Sequence, residues 1–360
     1  MIRHIELTID VSAALGLGEP AHVAATVVLP DPAALPARPV VCFAKPAGGY
    51  ARGYFTCELP GPSAPAAPPG AQADFHAERG WIFVAMDNLG SGGSSLHAGP
   101  LLDFTNVTAA ALAAEADVLL RLANGVLAPG FPPVLQPVTI CIGQSTGGSL
   151  AIVQQARHGC YDGIGVLGFS AVHSHPATPP GEAPLVIPWF SRDIPPDQPG
   201  GVINAAAVAR AQRAPAGESA WAALAWGFHY DDVPAEVVEQ DLAHYEDIVA
   251  GRSPRTEGRE AAPWMSFTTP HEATRFTLTP GIVAPEAAAV TVPVLSAMGE
   301  RDLVVDPAGE ARAFRSAFSF DLFVCPRMGH MHNFAGTRAL LWERLHRFGE
   351  WCESWKALAA

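Results

Sequence analysis

The sequence predicts a mostly parallel central sheet of about eight strands, with helices on both faces and a helical insertion between two core strands. Three observations lead there. Short apolar runs alternate with longer helical patterns, as expected of strand–helix–strand units in a parallel sheet. One such run, Val138-Thr139-Ile140-Cys141-Ile142, passes directly into Gly143-Gln144-Ser145-Thr146-Gly147-Gly148, a G-x-S-x-G turn followed by an apolar helical stretch. Between residues 171 and 289 strand signals nearly vanish and prolines cluster. The core is therefore read as residues 1–170 and 290–360, with 171–289 as a helical lid.

Taken in order, residues 5–11 alternate apolar and polar side chains, the pattern of a half-exposed edge strand. Residues 22–29 form a second strand, closed by Leu29-Pro30-Asp31-Pro32. No helix separates these two, so antiparallel pairing is expected. Residues 40–44 are all apolar and therefore central, and they lead into Lys45-Pro46-Ala47-Gly48-Gly49-Tyr50. The Pro-, Ala- and Gly-rich residues 60–71 read as a surface loop, followed by a helix near 73–79. Residues 81–86 are the fourth strand, ending in Asp87-Asn88-Leu89-Gly90-Ser91-Gly92-Gly93-Ser94. Thr105 or Asn106 can cap a long helix through Ala110, Val118 and Leu122, with Asn124-Gly125 as its stop. The G-x-S-x-G strand and its helix come next, and then a strand at 163–169. Helical stretches follow at 205–211, 221–226 and 234–249. The core resumes with strands at 290–298 and 320–324. A final helix, 337–355, carries Leu340, Leu341, Leu345, Phe348 and Trp351 on one face.

Composition narrows the function. The chain has 360 residues, 49% hydrophobic and 16% charged, enough for a large core. A net charge of −13 argues against a nucleic-acid or anionic-membrane partner. Met1-Ile2-Arg3-His4-Ile5-Glu6-Leu7 lacks a basic-then-apolar leader pattern, and no run nears the roughly 20 apolar residues that span a bilayer. The six cysteines are scattered, with no C-x-x-C pair and no zinc spacing. A reduced, cytoplasmic setting without metal or cofactor is expected. A homodimer is open.

The chemistry centres on Ser145. A serine hydroxyl is a poor nucleophile until a base takes its proton and an acid orients that base. Asp302 lies just past the strand at 290–298 and is the preferred acid, ahead of Asp306 and Glu300. Two histidines follow the last strand in Gly329-His330-Met331-His332. His330 is the preferred base and His332 the alternative, or a residue lining the pocket. The backbone N–H of Thr146 is one oxyanion donor; Gly48 or Gly49 supplies the second, with Ala47 possible, while Pro46 has no N–H to give.

Four pieces in this order resemble the α/β-hydrolase superfamily: Pro46-Ala47-Gly48-Gly49 is similar to its oxyanion loop, Asp87 to Ser94 to its D-x-x-G-x-G-x-S turn, Gly143 to Gly147 to its nucleophile elbow, and Asp302 with His330 to its acid and base. Where many members carry His-Gly in the oxyanion loop, this chain has Lys45-Pro46-Ala47. The resemblance implies serine-dependent hydrolysis of an ester, lactone, thioester or amide without a cofactor, and less often acyl transfer. A non-catalytic small-ligand receptor on the same scaffold is the alternative from another class. The lid is rich in aromatics, including Trp189, Trp221, Trp226, Phe228 and Trp264. With Gln144 and His332, Trp189, Trp226 and Trp264 are expected to line a pocket for a small, uncharged, apolar ester.

Overall fold

The structure is a computed structural model that describes residues 1–62, 69–213, 219–249 and 262–359. The expected loop at 60–71 therefore lies partly outside the described residues, as does the side chain of Trp221. Eight strands form one sheet: β1 (Arg3–Asp10), β2 (His22–Leu29), β3 (Val40–Lys45), β4 (Ile82–Met86), β5 (Val138–Gln144), β6 (Gly163–Leu167), β7 (Val294–Gly299) and β8 (Phe320–Cys325). Their spatial order is β1-β2-β4-β3-β5-β6-β7-β8. β1 pairs antiparallel with β2 and β2 with β4; every other pairing is parallel. The expected antiparallel start is thus present.

Burial follows sequence pattern. β3, β4, β6 and β7 are buried along their whole length, as parallel strands covered on both faces must be. β1 alternates between exposed and partly buried residues because only one of its faces meets the core. Successive residues of β3 point to opposite sides: Val41 and Phe43 join one apolar cluster, Cys42 and Ala44 the other.

The helices in chain order are α1 (Ser12–Leu15), α2 (Gly53–Thr56), α3 (Gln72–Ala77), α4 (Phe104–Ala123), α5 (Thr146–His158), α6 (Ala205–Gln212), α7 (Ser219–Phe228), α8 (Ala235–Val249), α9 (His271–Phe276), α10 (Ala284–Ala289) and α11 (Arg338–Ala359). α4, α5 and α10 pack into the first apolar cluster, and α2, α3 and α11 into the second. Asp103, rather than Thr105 or Asn106, caps α4: its carboxylate accepts from Asn106 N at 2.8 Å. α11 buries Leu341, Leu345, Phe348 and Cys352, whereas Leu340 is 50% and Trp351 43% exposed. Its inner face is therefore rotated from the expected one.

The segment between β6 and β7 carries α6 to α10. The short α9 and α10 lie beyond the expected helices. All six cysteines are free thiols. Among the described residues no helix is long and apolar enough to cross a membrane, and no group of three His, Cys, Asp or Glu side chains is placed to hold a metal ion.

Candidate active site

β5 delivers Ser145 to the C-terminal edge of the parallel strands. Ser145 adopts φ 53° and ψ −117°, a conformation that costs a non-glycine residue roughly 1–3 kcal/mol. Its neighbours explain how so sharp a turn is built. A Cβ on Gly143 would lie 2.1 Å from Gly147 O, and one on Gly147 would lie 2.2 Å from Lys45 O. Both glycines of G-x-S-x-G are therefore imposed by backbone contact. Ser145 N donates to Leu167 O at 2.8 Å, tying the turn to the end of β6. α5 starts at Thr146, so its first N–H groups have no intrahelical acceptor and point toward the same edge.

Asp302 lies in the loop after β7. Its Oδ2 accepts Gly299 N and its Oδ1 accepts Leu303 N, each at 2.7 Å. His330, in the loop after β8, holds Nδ1 2.6 Å from Asp302 Oδ1. Burial pushes the Asp302 carboxyl up, but the His330 and His332 imidazoles and their hydrogen bonds outweigh it and hold the group far below the usual carboxylate range. An ionised carboxylate only accepts, so Nδ1 of His330 carries the proton and Nε2 is left as the basic atom. The other acids of this loop are engaged elsewhere. Asp306 caps the short turn Pro307–Arg312 by accepting Gly309 N at 3.1 Å, and Glu300 accepts Arg327 N at 2.9 Å.

Ser145 and His330 open into one cavity of about 490 Å³, together with Gly48 and Thr146. Its walls are Pro176, Leu185, Ile187, Leu224, Phe228, Thr274, Thr277, Leu278 and Leu303. Most of these come from the segment between β6 and β7. That segment is bonded to the site by its backbone: His330 N donates to Gly227 O and Met331 N to Phe228 O, both at 2.9 Å. The Phe228 ring centroid sits 5.0 Å from that of His330.

The other expected site residues are placed as follows. Gly49 is outside the cavity lining, and its carbonyl accepts Ser266 N at 2.9 Å; Gly48 and Thr146 reach the cavity. Gln144 lies beneath the histidine loop and donates to His330 O at 2.6 Å instead of lining the cavity. His332 is buried on the far side of Asp302, with Nε2 2.8 Å from Oδ2. Trp226 stacks under the Arg301 guanidinium at 4.4 Å and lines a separate cavity of about 380 Å³. Trp264 packs edge-on against Phe334, and Trp189 edge-on against His173. Each tryptophan is engaged in packing away from the cavity, whose wall is mainly aliphatic side chains with Phe228, Thr274 and Thr277. Lys45, at the start of the Lys45-Pro46-Ala47 stretch, does not line the cavity. It is 1% exposed, and its Nζ lies 2.7 Å from Glu115, which also accepts from Tyr161 and Gln154.

Gly168 went unnoticed in the sequence. Its φ is +58°, and a Cβ there would meet His330 Nδ1 at 2.9 Å and Asp302 Oδ1 at 3.0 Å. A glycine directly after an apolar strand was the available signal.

No family model matches the sequence, and no curated protein matches it. Solved structures do. A peroxisomal alpha-beta-hydrolase from Saccharomyces cerevisiae superposes with a TM-score of 0.53 at 12% identity, covering 98% of this chain and 88% of that one. The chain has the α/β-hydrolase fold. A proline iminopeptidase from Mycobacterium smegmatis (TM-score 0.55, 14% identity, 97% and 98% covered) and an esterase from Exiguobacterium antarcticum (0.53, 15%, 92% and 96%) share it. In an α/β-hydrolase fold the ends of the parallel strands are where loops from distant parts of the chain converge, and Ser145, Asp302 and His330 all lie on such loops.

Proposed function

We propose that this protein is a serine hydrolase that cleaves a carboxylic ester, lactone or thioester bearing an apolar group, through an acyl-enzyme on Ser145. The observation that carries the reading is the shared cavity: Ser145 and His330 open into one aliphatic chamber, and Asp302 lies behind the histidine. In the first step His330 Nε2 takes the Ser145 proton as Oγ attacks the carbonyl carbon. Asp302 supports the resulting imidazolium. The Thr146 N–H and the Gly48 loop hold the oxyanion, each donor worth on the order of 3 kcal/mol in the barrier. The alcohol or thiol leaves with the proton from His330. Water, deprotonated by the same nitrogen, then releases the acid and restores the serine. The apolar walls favour an uncharged group, since a charge in that chamber would lose its water without gaining a partner. In this reading residues 171–289 act as a cap that supplies most of the substrate-facing wall.

The test is labelling with a fluorophosphonate probe, with mass spectrometry to locate the adduct, followed by turnover of p-nitrophenyl esters of rising chain length. Adduct on Ser145 and turnover that is lost in Ser145→Ala are expected. Adduct elsewhere, or none on folded protein, overturns the reading.

A further inference from the structure

Asp302 stands between two imidazoles. Oδ1 accepts His330 Nδ1 and Leu303 N; Oδ2 accepts His332 Nε2 at 2.8 Å and Gly299 N at 2.7 Å. Four N–H groups, two per oxygen, fill its accepting capacity. The His332 side chain is 1% exposed and does not line the cavity, and its one side-chain hydrogen bond among the described residues is to Asp302.

We propose that His332 is a positioning residue for the reaction assigned to Ser145, acting as a second imidazole donor that fixes the Asp302 carboxylate in the plane His330 requires. The inference rests on the serine-hydrolase reading above. Without His332, Oδ2 keeps one donor, and rotation about the Cβ–Cγ bond carries Oδ1 off His330 Nδ1. The geometry also sets the tautomer of His332. Its proton must lie on Nε2 because the carboxylate can only accept. Its Nδ1 is buried with no hydrogen-bond partner among the described residues, so a second proton there would find no acceptor. His332 therefore engages Asp302 as a hydrogen-bond donor through Nε2. The titratable groups around it are His330 on the same loop, Asp302 on the loop after β7 and Tyr54 on α2. The Tyr54 hydroxyl accepts Asn333 N at 3.0 Å, and burial pushes it far up, so it stays protonated.

Two measurements test this. In histidine-labelled wild-type protein, ¹H–¹⁵N NMR is expected to show a ring proton held on His332 Nε2, beside the one on His330 Nδ1. A His332 protonated on Nδ1, or one whose ring proton exchanges freely, overturns the proposal. This readout needs neither turnover nor a folded variant. The second is the split between kcat and KM in p-nitrophenyl butyrate hydrolysis. His332→Phe is expected to lower kcat by about ten- to a hundredfold with KM nearly unchanged. His332→Gln, which keeps an N–H donor, should recover most of that loss. A His332→Phe kcat equal to wild type, or equal to that of an impaired His332→Gln, overturns it. Wild-type turnover in Ser145→Ala would instead remove the hydrolase reading while leaving the tautomer result standing.

Discussion

The alpha carbon of Gly168 faces the His330 ring so closely that a methyl group placed there would lie 2.9 Å from Nδ1. The same methyl would touch Asp302 Oδ1, the other end of the 2.6 Å hydrogen bond. With φ at +58°, the position also disfavours any side chain on backbone grounds. Gly168→Ala is expected to push the histidine from the acid and lower kcat/KM about a hundredfold, as misplacements of this size do. Steady-state kinetics on a p-nitrophenyl ester check it; an active Gly168→Ala would show that the pair tolerates displacement.

The strain at Ser145 makes a prediction about stability. Alanine normally stabilises relative to glycine, but alanine at 145 keeps φ 53° and ψ −117°, whereas glycine relaxes them. Ser145→Gly should therefore melt higher than Ser145→Ala, by about 1 kcal/mol, while both lose turnover. Equal melting temperatures would mean that the turn stores no strain.

His76 gives the protein an acid sensitivity far from the site. Its ring is stacked between Trp81 at 4.4 Å and Phe83 at 5.7 Å, and neither nitrogen has a partner among the described residues. Burial pushes it well below the ordinary histidine range, and His346 beside it is lowered for the same reason. The unfolded chain then binds protons that the folded chain refuses. Stability is complete above pH of about 6.5 and falls as the pH drops below it, by up to about 1.4 kcal/mol per unit for each histidine. Urea unfolding of His76→Phe at pH 7 and pH 5 should show a smaller difference than wild type.

The buried pair Lys45–Glu115 should behave as a unit. Glu115→Gln leaves a buried ammonium without its counter-charge and is expected to cost about 3–5 kcal/mol. Adding Lys45→Met to that variant should restore part of the loss, giving a coupling of more than about 1 kcal/mol in a double-mutant cycle by urea unfolding. Additive losses would mean that the two charges do not depend on each other.

Selectivity should follow the aliphatic wall. Leu224→Trp or Leu278→Phe, each reducing the 490 Å³ chamber, are expected to shift preference toward shorter acyl chains, while Trp226→Ala leaves the chain-length profile as it was. Comparison of kcat/KM across p-nitrophenyl esters decides between them.

The central strands were legible because doubly covered strands must be written as short apolar runs such as 40–44 and 138–142, and β1 because one buried face leaves an alternating pattern. Ser145 was legible because the elbow demands glycine at 143 and 147 through backbone contact, which no other residue can satisfy. The cavity wall was not. It is assembled from Pro176, Leu185, Leu224, Leu278 and Leu303, ordinary aliphatics whose meeting depends on how distant segments pack. Aromatic content pointed instead to Trp189, Trp226 and Trp264, whose rings pack on His173, Arg301 and Phe334 away from the cavity. The six-residue helices α9 and α10 carry too few turns to show a 3.6-residue period, and a proline sits inside α10.

The two backbone bonds from His330 and Met331 to the end of α7 have a mechanical consequence. They couple this helix end to the His330 loop, so swinging α7 outward to admit a guest also pulls on the imidazole. An opening that leaves His330 in place must therefore hinge elsewhere along the rim, where Pro176, Leu185 and Ile187 show no backbone bond to the His330 loop among the described residues.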